Sequence, residues 1–152
     1  MARKQNKLEW FQAELNALHE SIPETLRLAS LGENRLEGFA ALFTIVLPLL
    51  NASGEPVFTP VIVSELVRAL NSRFGGCLIP SSSSHPPYWG LWQPAEGPAT
   101  EPVKDYVTIV QVFANPIEPT NHFFVRLKQV LKVAGKIEQQ EILISRIDCR
   151  LI

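Results

Sequence analysis

Residues 81–94 read Ser-Ser-Ser-Ser-His-Pro-Pro-Tyr-Trp-Gly-Leu-Trp-Gln-Pro. Four hydroxyls and the imidazole of His85 stand a few residues ahead of three aromatic rings, Tyr88, Trp89 and Trp92. A serine beside a histidine is the raw material of a nucleophile and its base. That chemistry also needs a group to orient the base and donors for an oxyanion. The run supplies neither, and no Gly-x-Ser-x-Gly turn occurs in the chain, so no catalytic residue is assigned. The three histidines, His19, His85 and His122, fall in different segments, which argues against a metal centre, and no cofactor is expected. No phosphate-cradling loop is present either, because Arg73-Phe-Gly-Gly-Cys77 reads as a helix stop.

The rings carry more information. If 88–92 is extended, Tyr88 and Trp92 share one face and Trp89 points to the other. One ring could then hold the segment to the core while two line a surface near His85 and Asp105. Two readings stay open: rings that cover a sheet and pin a long loop, or rings that wall a pocket or a partner-binding face. Prolines at 80, 86, 87, 94, 98 and 102 stiffen the connection. Irregular connections of this length inside one domain are more often functional than short turns. The candidate ligand- or partner-binding residues are therefore His85, Tyr88, Trp89, Trp92 and Asp105.

Charge excludes some classes. The chain has 152 residues and a net charge of -1, so no overall field draws it to nucleic acid or an acidic membrane. Arg126, Lys128, Lys132 and Lys136 give one helix a basic side, a small footprint for nucleic acid and an ordinary one for a solvated helix. Asp105, Glu141 and Asp148, the last near Arg146 and Arg150, read as solvent-side partners across strands. Cys77 and Cys149 lack Cys-x-x-Cys spacing and are expected as thiols in a reducing compartment, with a single disulfide left open. The basic N-terminus leads into an amphipathic stretch, not a signal peptide. The apolar run 38–50 is too short to span a bilayer and contains Pro48. The expectation is a cytoplasmic protein without membrane contact.

Apolar residues make up 46% of the chain, enough to build one domain with a core. Leu8, Phe11, Leu15 and Leu18 predict a helix over 4–19. Ser21-Ile-Pro-Glu24 predicts the start of a second, running to about Leu31. Phe39 to Leu50 is a nearly continuous apolar run and predicts a buried central strand. Thr59-Pro60 caps a helix with Ile62, Leu66, Leu70 and Phe74 on one stripe, closed by Gly75-Gly76. Residues 77–80 are expected to be extended, with 88–92 as an arm of the long connection. Residues 103–113 predict a strand, Thr120 a cap for a helix carrying Phe123, Phe124, Leu127 and Leu131, and 141–151 a last strand.

From residue 38 the order is β-α-β-β-α-β. The expected fold class is therefore α+β: a ferredoxin-like β-α-β-β-α-β sandwich, an antiparallel sheet with two helices on one face. An N-terminal helical extension of residues 1–37 precedes a domain of residues 38–152, whose Ser/Pro/aromatic loop spans 80–102. Residues 38–152 also resemble small bacterial ferredoxin-like domains. The features that carry the resemblance are Arg73-Phe-Gly-Gly76 closing the first helix, Tyr88-Trp-Gly-Leu-Trp92 before the third strand, and Glu138-Gln-Gln-Glu-Ile-Leu-Ile144 opening the last. The resemblance implies a fold and a dimer habit, but no activity.

The strands are apolar on both faces. Tyr106, Thr108, Val110 and Val112 oppose Val107, Ile109 and Phe113; Leu143, Ile147, Cys149 and Leu151 oppose Ile142 and Ile144. A sheet of this kind wants a second layer, from the N-terminal helices or from a second copy of the sheet. The leading expectation is a non-enzymatic module that self-associates as a homodimer through its sheet, or that binds a protein partner or a small apolar ligand. A small α+β-barrel-type enzyme using His85, Tyr88 and Asp105 is the alternative. A nucleic-acid-associated accessory role using the basic helix is the third.

Overall fold

Asn6 opens the first helix by accepting a hydrogen bond from the Leu8 amide through its side chain, at 3.2 Å. A computed structural model describes residues 6–21, 39–51, 54–79, 88–92, 103–135 and 142–150. In it α1 spans Lys7–Glu20 and buries Phe11, Leu15 and Leu18, the stripe that its spacing predicts. The expected second helix after Ser21 lies outside the described residues.

α2 spans Pro60–Phe74. Thr59 caps it, Pro60 occupies the first turn where its missing N–H costs nothing, and Ile62, Leu66, Leu70 and Phe74 are buried. It stops at Gly75, whose φ of 78° is left-handed and whose amide donates to the Asn71 carbonyl at 2.8 Å. Only glycine enters that region without a Cβ penalty.

β1 spans Phe39–Pro48. Ala41, Phe43, Ile45 and Leu47 are buried, while Leu42, Thr44 and Val46, which alternate with them, are half-buried. β2 spans Tyr88–Trp92 and β3 Val103–Ala114. α3 spans Glu118–Gly135 and β4 Leu143–Arg150. Thr120 is not the cap of α3. It lies inside the first turn, buried, with its amide bonded to the Ile117 carbonyl at 3.1 Å. Pro119 fits a first turn, so the helix begins at Glu118.

The long strands β3, β1 and β4 lie side by side in that order, with antiparallel pairing throughout. β2 adds antiparallel along the outer edge of β3. α2 and α3 stand on one face of this sheet, and α1 packs against both. The core between the layers is centred on Phe124, which stacks on Phe43 at 4.0 Å and on Phe74 at 5.4 Å. Phe123 meets Phe74 and Phe124 edge to face. The buried guanidinium of Arg73 lies 5.1 Å from the Phe123 ring centre.

This arrangement corrects the ferredoxin-like β-α-β-β-α-β sandwich expected from the sequence. Of the segment 77–80, counted there as the second strand, the described residues 77–79 contribute a single bridge from Leu78 to Gln111. Among the described residues the helical side carries three helices rather than two, because α1 shares one core with α2 and α3 through Phe11, Leu15 and Leu18. The long elements therefore alternate α-β-α-β-α-β, with β2 as a short edge strand. The physical reason is non-local in both places. Exposed Leu78 meets β3 at one point only, and the apolar stripe of α1 is buried against α2 and α3.

Candidate functional site

The ladder between β2 and β3 gathers most of the residues singled out in the sequence. Tyr88 pairs with Val107, Trp89 with Tyr106, Gly90 with Asp105 and Trp92 with Val103. Tyr88, Trp89 and Trp92 thus flank half-buried Asp105 in sequence register along one ladder. His85 lies outside the described residues.

The face of the sheet turned away from the helices is built in rows, because register across three strands stacks every second residue. Phe113, Leu42 and Ile147 form one row; Gln111, Thr44 and Ser145 the next; Ile109, Val46 and Leu143 the third. Phe113 is 44% exposed, Leu143 57% and Ile147 60%. The middle row is polar and uncharged, and the Gln111 carboxamide Nε2 donates to Thr44 Oγ1 at 3.2 Å. The sequence reading missed this row. Thr44, alone among apolar residues in β1, was the one visible signal; Gln111 and Ser145 share their strands with other polar residues. What aligned them was pairing between residues up to 101 positions apart, as Thr44 with Ser145.

The charged groups lie elsewhere. Arg146 and Asp148 sit on the same strand, Nε to Oδ1 at 2.6 Å, and Arg146 Nη1 donates to Asn121 Oδ1 on α3 at 2.8 Å. The Arg146 hydrogen bond holds the Asp148 carboxyl below its ordinary pKa. Asp148 is thus paired within its own strand, not across strands as expected. His122 lies 3.3 Å from Glu118 one turn earlier on α3, both exposed. Arg126, on the basic side of α3, donates to Ser21 Oγ at 3.0 Å and ties the end of α1 to that helix. Glu141 and Lys136 lie outside the described residues.

Cys77 and Cys149 are both free and half-buried. Burial pushes the Cys77 thiol up from its ordinary pKa. The Cys149 thiol lies 3.4 Å from the Ala40 carbonyl oxygen. Among the described residues, no three His, Cys, Asp or Glu side chains converge to hold a metal ion, and no helix is long and apolar enough to cross a membrane. No protein-family model and no curated protein matches this sequence.

Proposed function

We propose that this protein is a non-enzymatic interaction module that self-associates through the open face of its sheet. The observation that carries the reading is the exposure of Phe113, Leu143 and Ile147 on one face, while the opposite face is buried under helices. Large apolar groups exposed together, around a polar strip, mark association surfaces. Burying them contributes roughly 25 cal/mol per Å².

Area sets the strength. Strands about 4.8 Å apart and same-face residues about 6.8 Å apart make this three-by-three face roughly 300 Å² in projection. A standard interface buries about 800 Å² per partner. The association is therefore weak and concentration-dependent, and β2 widens the surface at the β3 edge. Two free thiols fit a reducing compartment, so the module is read as cytoplasmic.

Sedimentation equilibrium tests this over a range of micromolar concentrations. The parent should approach a dimer as concentration rises, and Phe113→Asp should weaken that association at least tenfold. A parent that stays monomeric throughout would overturn the reading.

A further inference from the structure

Beyond the open face, we infer that the outer edge of β4 joins two copies of this chain. Their β4 strands pair antiparallel about a two-fold axis that runs normal to the sheet beside Ile147, with Arg146 opposite the partner's Asp148. Among the described residues β4 pairs with β1 alone, so its other side presents a row of backbone N–H and C=O groups. Such an edge is a template for a further strand unless proline, lysine or a bulge blunts it. Leu143–Arg150 carries neither proline nor lysine, and its ladder with β1 runs unbroken from end to end.

Charge names the occupant. Opposed residues on antiparallel strands share a face, where opposite charges stabilise the pair and like charges oppose it. A two-fold axis sets one residue of β4 against its own copy, and the charges at Arg146, Asp148 and Arg150 choose which. An axis at Arg146 or Asp148 sets like against like, and at Ser145 no two charges meet. At Cys149 it sets Asp148 against the partner's Arg150, but only residues 148–150 then overlap within the strand. At Ile147, Arg146 meets the partner's Asp148, Asp148 meets the partner's Arg146, and residues 144–150 all have an opposite. Arg146 and Asp148 already bond at 2.6 Å, and Asn121 holds Arg146 in place. Pairing closes the two ion pairs into one alternating network of four charges, which is stronger than isolated surface pairs.

The joined sheet also relieves the shortage of area. Ile147 lies beside its own copy across the seam, so the row of Phe113, Leu42 and Ile147 continues into the partner's row. The open face doubles to roughly 600 Å², nearer the about 800 Å² that a standard interface buries per partner.

Charge reversal, read by sedimentation, tests the pairing. Arg146→Asp and Asp148→Arg should each weaken self-association about tenfold. An equimolar mixture of the two should recover it, as heterodimers of intermediate mass in native mass spectrometry, and so should a chain carrying both changes. A merely damaged fold would not recover on mixing. If neither variant weakens the parent's association, the edge serves a strand other than its own copy, and the inference falls while the open-face reading stands. The same holds if mixing recovers nothing. If Phe113→Asp leaves association intact while the charge variants abolish it, the edge stands and the open-face reading falls. A parent that is monomeric throughout overturns both.

Discussion

Phe124 lies between two other rings, stacked on Phe43 at 4.0 Å and on Phe74 at 5.4 Å. One side chain thereby joins β1, α2 and α3. Phe124→Ala would leave a cavity that three rigid elements cannot close, and such truncations typically cost about 3–5 kcal/mol. Urea unfolding should show a loss of that size; a loss under about 1 kcal/mol would mean the layers are held elsewhere. Asp148 presents the opposite case, at the surface. Its depressed folded-state pKa, due to Arg146, adds stability above the unfolded carboxyl range, and this is lost as pH falls through the depressed value. Solvent screening keeps that contribution small. Arg146→Ala should therefore move the Asp148 carboxyl titration upward in NMR, with the melting temperature at neutral pH nearly unchanged. An unmoved titration would show that the pair does not persist in solution.

At the scale of elements, α1 is held through Phe11, Leu15 and Leu18, all buried against α2 and α3. Leu15→Ala should cost about 2–5 kcal/mol in urea unfolding. If α1 were a free arm the midpoint would not move. α2 depends on its ends as well as its stripe. Gly75 sits at φ 78°, where any other residue is strained, so Gly75→Ala should cost about 1–2 kcal/mol. The cost should read out in unfolding, because Gly75 is exposed to solvent.

For the molecule as a whole, the two faces of the sheet differ in what they hold together. The helix side holds the fold; the open side carries Phe113, Leu143 and Ile147 in partial contact with water. Ile147→Asp should therefore leave monomer stability within about 0.5 kcal/mol, as ordinary surface changes do, while shifting the monomer–dimer midpoint to higher concentration. A variant that unfolds instead would show that Ile147 belongs to the core and not to an interface.

Local physics is legible in the sequence by itself. A threonine before a proline, a stripe at Ile62, Leu66, Leu70 and Phe74, and a glycine pair define α2, because every one of those signals acts within a turn or two. The α1 stripe and the apolar run of β1 are legible for the same reason. What the tertiary structure alone decided was non-local. It chose Tyr88–Trp92 rather than 77–80 as the strand along β3, and it set α1 against α2 and α3. Of the candidate binding residues it brought Tyr88, Trp89, Trp92 and Asp105 into one ladder. It also placed Thr44, Gln111 and Ser145 in one row. Strand register depends on which segments meet across loops tens of residues long, and a shift of one residue turns every side chain to the other face. No pattern within a single strand carries that choice.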